Sequence, residues 1–171
     1  MTDCPMPANE EERLKVLHSL KIVDTAADQS FDRITRILAV SLGAPIAIIS
    51  LIDQHRQWFK SKVGLNFDET PRGESFCTHC AAHGSYMEIH DATKDDRFSS
   101  NIFVTGDAKI RFYAGAPLMV GKGLCIGTLC VMDTIARVLD DKQRALLNDM
   151  AGVVMDLFKK KMIAEQARRA E

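Results

Sequence analysis

The sequence has no surplus of either charge and no long apolar run. Its 22 lysines and arginines stand against 23 aspartates and glutamates, so no basic excess favours nucleic acid or an anionic lipid surface as a partner. The longest apolar run, residues 44–49, is far shorter than the ~20 residues of a membrane-spanning helix. The opening stretch MTDCPMPANEEER has no apolar core, so we expect no signal peptide. The five cysteines then indicate reduced thiols in the cytoplasm.

Several catalytic motifs are missing as well. The chain has no serine in a nucleophile elbow, no H-E-x-x-H pair and no phosphate-binding loop. The glycines of Gly121-Lys122-Gly123 precede an apolar strand pattern rather than a helix, which is typical of a hairpin turn. We therefore expect no catalytic residue, no cofactor and no metal, and predict that the domain is not an autonomous enzyme.

What remains is the composition of one folded domain. Its 171 residues are 46% apolar and 26% charged, and a chain of this size buries enough surface to fold without disulfides or metals. Two prolines in residues 1–8 predict a flexible arm. We expect a single domain over 9–158 and a helical extension over 159–171.

Apolar spacing predicts the order of the elements. Helical periods indicate helices over roughly 10–20, 30–42 and 75–83, and from 140 to the end. Apolar and β-branched runs predict five strands, over 44–53, 57–63, 86–91, 109–119 and 124–133. Residues 64–74 are predicted to be a loop, and the loop after residue 91 has room for a helical turn around Arg97. Hairpins imply an antiparallel sheet, so the predicted class is α+β with the terminal helices together on one face.

Four segments carry a resemblance to a known family: FDRITRILAVSLGAPIAIISLID (31–53), RQWFKSKVGL (56–65), ETPRGESFCTHC (69–80), and IRFYAGAPL (110–118) with GTLCVMD (127–133). Between Glu12 and Leu157 the chain resembles a GAF domain. More narrowly it resembles the bacterial sensory subgroup found ahead of histidine kinases and diguanylate cyclases. The resemblance implies a sheet in the order 2-1-5-4-3, with a ligand pocket on the face opposite the terminal helices.

Two ligand classes of that family do not fit this chain. Cyclic-nucleotide-binding members carry an Asn-Lys pair followed by Phe and, three residues later, Asp-Glu, whereas Phe67, Asp68 and Glu69 are contiguous here. Members with a covalent bilin attach it in an Asp-Ile-Pro context that is missing. We expect neither a cyclic-nucleotide receptor nor a covalent chromophore.

The segment Cys77-Thr78-His79-Cys80, with His83 beyond it, is open to three interpretations. A single short helix cannot supply all four ligands of a tetrahedral zinc site, and Cys125 and Cys130 do not have zinc-ribbon spacing. A C-x-x-C pair near a helix start can carry a stabilised thiolate, although a thioredoxin context is absent. The third interpretation is that these cysteines are small buried side chains. Cys125 and Cys130, five residues apart, are predicted to lie on opposite faces of the sheet as packing residues.

Trp58 and Phe59 should lie on opposite faces of a strand, so that one ring packs under the helices. Either ring could be an ordinary core residue. The resemblance places the pair beside the pocket, which makes both rings candidates for ligand contact. Arg111 is predicted in a strand, half-buried, either in an ion pair with Asp91, Asp95 or Asp96 or as a clamp for an anionic ligand. Under the clamp interpretation, Arg111→Ala removes stabilisation by ligand; under the other, it destabilises the fold.

The leading hypothesis is a non-catalytic sensory domain that binds a small molecule. Its predicted ligand contacts are Trp58, Phe76, His79, Phe98, Arg111 and Tyr113. One alternative is a thiol-dependent reductase of the methionine-sulfoxide type that uses Cys77 and Cys80. Another is a regulator that binds no ligand and acts only through dimer contacts.

A homodimer is predicted from the last helix. Leu139, Leu146, Met150, Val153 and Leu157 recur at three- and four-residue steps, as in a coiled-coil seam. The competing interpretation is that the domain's own core covers this stripe. Residues 159–171 favour the first interpretation, because an isolated helix end this short would fray in water. We expect them to dock on a second subunit or to lead into an output module, with a kinase or a cyclase as the partner.

Overall fold

The computed structural model describes residues 4–171, so residues 1–3 of the predicted arm lie outside the described part. Its helices are α1 (Glu10–Ser19), α2 (Gln29–Leu42), α3 (Phe76–His83), α4 (Ile102–Thr105) and α5 (Asp141–Ala170). Its strands are β1 (Ile46–Ile52), β2 (Arg56–Val63), β3 (Glu69–Pro71), β4 (Met87–Ile89), β5 (Phe112–Val120) and β6 (Leu124–Asp133). Short 3-10 turns occupy Arg72–Glu74 and Ala92–Lys94.

Local capping explains where several helices begin and end. The Asp28 side chain accepts a hydrogen bond from the backbone N–H of Ser30 at the start of α2. The helix ends at Gly43, whose φ of 58° is left-handed and favours glycine. At α5, Asp140 and Gln143 form a reciprocal capping box, which satisfies two backbone donors of the first turn.

The six strands form one sheet in the order β3-β2-β1-β6-β5-β4, and all neighbouring pairs are antiparallel. The predicted α+β class is confirmed. Without β3, the observed order is the expected 2-1-5-4-3. The added edge strand corrects the prediction of a loop over 64–74, because Arg56–Trp58 pairs with Glu69–Pro71. Three residues are too few to show an alternating pattern.

Each face of the sheet has its own apolar core. Helices α1, α2 and α5 cover one face, and alternate residues of β1, including Ala47, Ile49 and Leu51, belong to the core beneath them. Helix α3 and the loops cover the opposite face, where Ile46, Ile48 and Ile52 lie. Residues of β1 are thus buried from both sides, which explains its nearly continuous apolar run.

A bulge in β6 overturns the prediction for Cys125 and Cys130. Leu118 of β5 pairs with Gly127 and the next residue pairs with Cys125, so Ile126 is an extra residue in β6. Ile126 lies under the helices, while Cys125 and Cys130 both belong to the core on the α3 side. A bulge changes the face of the residues beyond it, so a five-residue spacing no longer places the two thiols on opposite faces.

The segment between β4 and β5 also differs from the expectation. The residues around Arg97 form a turn, and the short helix α4 follows it. The strand predicted from Lys109 begins only at Phe112, so Arg111 precedes it. Helix α5 runs without interruption from Asp141 to Ala170, and the proposed boundary after residue 158 remains a prediction.

Candidate functional site

A cavity of about 760 Å³ lies on the face of the sheet that carries α3. Its floor is formed by β1 and β2, and its rim by the loop after β2, the start of α3 and the segment from α4 to β5. Two of the four aromatic rings that line it are Phe59 on β2 and Phe76 on α3. The other two, Phe67 and Phe103, come from the loop after β2 and from α4.

The rings form a partly stacked wall. Phe67 lies between Phe59 and Phe103, and its ring centroid is 5.9 Å from that of Phe59 and 6.1 Å from that of Phe103. Aromatic surfaces of this kind favour an apolar or flat ligand. The side chains of Phe67 and Phe103 are only partly buried, so they form the side of the cavity nearer to solvent.

Polar groups lie at one end of the same cavity. Ser50 Oγ donates to Gln57 Oε1 over 2.7 Å, and Gln57 Nε2 donates to Thr70 Oγ1 over 3.0 Å. This buried chain of hydrogen bonds fixes the orientation of the Gln57 amide. Ser75 caps α3 beside it by accepting from the backbone N–H of Thr78. Gln57, Thr70 and Ser75 all line the cavity, which therefore combines an apolar wall with a few positioned polar groups.

Four of the six predicted contact residues form one aromatic cluster. Phe76 stacks on Phe98 with a centroid distance of 4.5 Å and on Tyr113 with one of 5.5 Å. His79 meets the Phe98 ring edge-on at 4.7 Å. Of these four residues Phe76 lines the cavity, while Phe98 and Tyr113 are fully buried beside it. Apart from Phe76, the cluster therefore supports the cavity wall rather than forming it.

Trp58 lies on the other face of the sheet. It pairs with Leu51 across β1 and β2, and its side chain belongs to the core under the helices. Its neighbour Phe59 faces the cavity instead. The strand register thus places Trp58 under the helices and outside the lining of this cavity, and its role as a ligand contact stays a prediction.

Arg111 is also outside the cavity lining. Its Nη1 donates to the backbone carbonyls of Val104 over 3.0 Å and of Ile110 over 3.1 Å. Within residues 4–171 it has no ion pair with an aspartate; Asp95 pairs with Arg97 instead, over 2.8 Å. Asp91 caps the 3-10 turn at Ala92–Lys94. Arg111 thus joins α4 to the start of β5. This role differs from both predicted ones, an ion pair with an aspartate and a clamp for an anionic ligand.

All five cysteines are free, and four of them are buried on the α3 side. Cys77 lines the cavity. Its Sγ lies 3.6 Å from that of Cys130, whereas Cys80 donates to the carbonyls of Ser85 and Gly115. In the part of the chain that the structure describes, no group of three or more potential ligands is arranged to hold a metal ion.

Sequence reasoning missed several cavity residues, and two kinds of signal pointed to them. Phe67 is an aromatic residue inside a polar, turn-rich segment, and Phe103 lies in a short apolar stretch between polar residues; both patterns are unusual for a solvated loop. Gln57 is a polar residue of a buried strand, next to Trp58, so it needed a buried partner. That partner, Thr70, lies in β3.

Comparisons with known proteins agree with this architecture. The GAF domain family model matches residues 26–155, and the chain belongs to the GAF family. A cyclic di-GMP phosphodiesterase, PA2567 of Pseudomonas aeruginosa, is 39% identical over 156 residues. The match covers 91% of this chain but 27% of that relative, so the chain spans about a quarter of its length.

Two solved structures share the fold at low identity. The GAF domain of a phosphoenolpyruvate-protein phosphotransferase from Coxiella burnetii has a TM-score of 0.66 and 15% identity, covering 94% of this chain and 99% of that one. Free methionine-R-sulfoxide reductase from Neisseria meningitidis, solved with its substrate, has a TM-score of 0.66 and 18% identity, covering 96% and 99%. Within residues 4–171, no helix combines the length and the apolar character needed to cross a membrane.

Proposed function

We propose that this chain is a non-catalytic sensory GAF domain that binds a small molecule in the cavity beside α3. The observation that carries this proposal is the cavity itself, with its four aromatic rings and its hydrogen-bonded Gln57–Thr70 end. Its volume is within the range of small-molecule sites, ~300–1,000 Å³. The missing catalytic motifs support a role in binding rather than turnover.

The lining favours a particular class of ligand. Aromatic and aliphatic side chains cover most of the wall, so a flat or branched apolar body fits it best. The polar side chains of the lining are Gln57, Asn66, Thr70, Glu74, Ser75 and Thr134, and this set has no arginine or lysine to pair with a phosphate. We infer a neutral or weakly cationic molecule whose polar end donates hydrogen bonds, rather than a nucleotide.

Adjacent residues on β2 provide a matched test. Native mass spectrometry of the purified full chain should show a bound small molecule. Phe59→Leu should lose it, because that ring faces the cavity, while Trp58→Phe should keep it, because that ring packs under the helices. Equal loss of the molecule in both folded variants would contradict the proposal. So would wild-type protein that carries no molecule and is not thermally stabilised by any member of a fragment library.

The terminal helices are the proposed route of output. Leu147, Val154 and Phe158 of α5 are buried in the domain's own core, whereas Val153 is 43% exposed. Leu146, Met150 and Leu157 pack against the domain's own core but are only partly buried, so part of their surface is left for a second copy. Leu139 is not part of the seam, because it precedes α5 and is fully buried. We propose a homodimer in which ligand binding changes the position of α5.

The similar cyclic di-GMP phosphodiesterase suggests which kind of module receives the signal from α5. A cyclic di-GMP phosphodiesterase contains a similar region within a much longer chain, so we infer that this domain regulates an enzymatic module of the kinase or cyclic-dinucleotide kind. The first part of the extension contacts its own domain, since Lys161 pairs with Asp28 and lies over the ring of Phe31. We propose that α5 leads from that contact toward an output module.

A thiol-dependent reductase is the second candidate. It is favoured by a cysteine in the cavity wall, Cys77, and by the shared fold of the free methionine-R-sulfoxide reductase. Steady turnover of free methionine sulfoxide with a dithiol donor, abolished by Cys77→Ser and kept by Cys4→Ser, would establish this candidate and overturn the non-catalytic proposal.

A further inference from the structure

Cys77 and Cys130 bring their sulfur atoms together from distant parts of the chain. Cys77 lies in the first turn of α3 and Cys130 lies in the central strand β6. Their Sγ atoms are 3.6 Å apart, although the residues are separated by 53 positions. Both side chains are fully buried, so the surrounding core holds the two sulfur atoms beside each other.

Hydrogen-bond donors converge on the Cys77 sulfur. Tyr113 donates its hydroxyl to Cys77 Sγ over 3.2 Å. Thr128 has a buried hydroxyl without a partner of normal hydrogen-bond geometry within residues 4–171, yet it lies close enough to lower the pKa of Cys77. Burial raises the pKa of the Cys77 thiol, but the neighbouring Cys130, Thr128 and Tyr113 side chains, with Cys130 first, together outweigh burial and hold it below the ordinary value. Burial raises the pKa values of Tyr113 and Cys130, so Cys77 is the member of this cluster that loses its proton most readily.

The other two buried thiols lack this arrangement. Cys80 donates to backbone carbonyls, and Cys125 donates to the carbonyl of Gly127 over 3.1 Å. Burial raises the pKa of both thiols, that of Cys125 to about 11. Because the thiolate is the reactive form of cysteine, Cys77 is the reactive member of the cluster. Among the described cysteines it is also the one in the cavity wall.

We propose that Cys77 is an oxidation site, at which hydrogen peroxide that enters through the cavity converts Cys77 and Cys130 into a disulfide. This inference goes beyond the proposed function and depends on neither a ligand nor turnover. The Cys77 thiolate attacks one peroxide oxygen and breaks the O–O bond, which gives a sulfenic acid and hydroxide, protonated to water. Cys130 sulfur then attacks the sulfenic sulfur. The S–S bond forms, the S–O bond breaks, and the thiol proton leaves with the hydroxyl as a second water.

The disulfide would act on the cavity through α3. Its formation requires the two sulfurs to approach by more than an ångström from 3.6 Å to the ~2.05 Å of an S–S bond. We expect the first turn of α3 to move toward β6, together with rotation of the two cysteine side chains. Phe76 lies in that turn and lines the cavity, so oxidation would change the cavity wall.

Peptide mapping of the full chain tests the proposal. Peroxide-treated protein is alkylated with iodoacetamide in denaturant and digested with trypsin. The expected product joins peptide 73–94, which contains Cys77 and Cys80, to peptide 123–137, which contains Cys125 and Cys130. The chain should take up two fewer alkyl groups than its five cysteines allow, and a dithiol should restore them.

Variants assign the bond to its two sulfurs. The double variant Cys80→Ser with Cys125→Ser should give the same cross-linked peptides. Cys130→Ser should give no cross-link but a Cys77 sulfenic acid that dimedone traps. The proposal fails if Cys77 and Cys130 of the wild-type chain remain fully alkylated at a peroxide dose that oxidises Cys4. It also fails if the cross-link persists in Cys130→Ser, which would assign Cys77 another partner.

Discussion

Arg72 and Glu10, 62 residues apart in the chain, form a buried ion pair in which Arg72 Nη2 lies 3.1 Å from Glu10 Oε2 and Nη1 bonds the other oxygen. Arg13 donates to the same carboxylate over 2.9 and 3.0 Å. Both arginine side chains are almost completely buried. Arg72 lies just before Ser75 at the cavity rim, so the pair joins the first helix to the edge of the candidate site.

The carboxylate of Glu10 should make stability depend on acid pH. Burial raises its pKa, but the hydrogen bonds from Arg13 and Arg72 lower it to about 2 from 4.5. A depressed pKa in the folded state adds stability that is complete above 4.5 and is lost as the pH falls toward 2. Urea unfolding of Glu10→Gln should therefore show a shallower decline over that interval than the wild type.

The same variant should also be less stable at neutral pH. Removing one partner of a buried pair costs about 3–5 kcal/mol, whereas the exposed control Glu12→Gln should change the free energy of unfolding by less than about 0.5 kcal/mol. Equal stabilities of the two variants at pH 7 would contradict a structural role for the pair.

Two glycines should respond to alanine in opposite directions. A Cβ at Gly127 would lie 1.9 Å from the backbone oxygen of Ser50 in the adjacent strand, whereas a Cβ at Gly152 on α5 would meet nothing within 4 Å. We expect Gly127→Ala to cost more than about 3 kcal/mol or to prevent folding. Gly152→Ala should stabilise the helix by about 1 kcal/mol, and thermal unfolding distinguishes the two results.

Arg111→Ala should lower stability without affecting the cavity. The substitution leaves the carbonyls of Val104 and Ile110 without their side-chain donor, at a cost of about 1–3 kcal/mol. We expect the melting temperature to fall and the bound molecule seen by native mass spectrometry to remain, with Lys94→Ala as the surface control. Loss of the molecule from a folded Arg111→Ala protein would restore the interpretation of Arg111 as an anion clamp.

The dimer prediction is tested by two exposed valines. Val153 lies on α5 at 43% exposure and Val138 lies before the helix at 60%. Val153→Glu should convert a dimer into a monomer in sedimentation experiments, because it places a charge in the proposed seam, while Val138→Glu should remain dimeric. Wild-type protein that is monomeric at high micromolar concentration, with or without residues 159–171, would refute the dimer.

Much of the fold was predictable because its signals are local. Asp28, Gly43 and Asp140 delimit helices through bonds or backbone angles within a few residues of themselves. Strand β6 was predicted with its observed limits, Leu124–Asp133, because a dense apolar run follows a glycine turn. Local chemistry of this kind is visible in the sequence, and it gave the order of the elements without any knowledge of their contacts.

The candidate site depended on tertiary contacts instead. Alternation shows that Trp58 and Phe59 face opposite ways, but only the pairing of β2 with β1 decides which ring enters the cavity. The extra residue at Ile126 changes the face on which Cys125 lies. The residues around Cys77 in the chain do not predict its contact with Cys130, because the two sulfurs meet only through the packing of α3 on β6. The sequence alone determined which segments form helices and strands, whereas register, bulges and long-range packing decided which side chains meet.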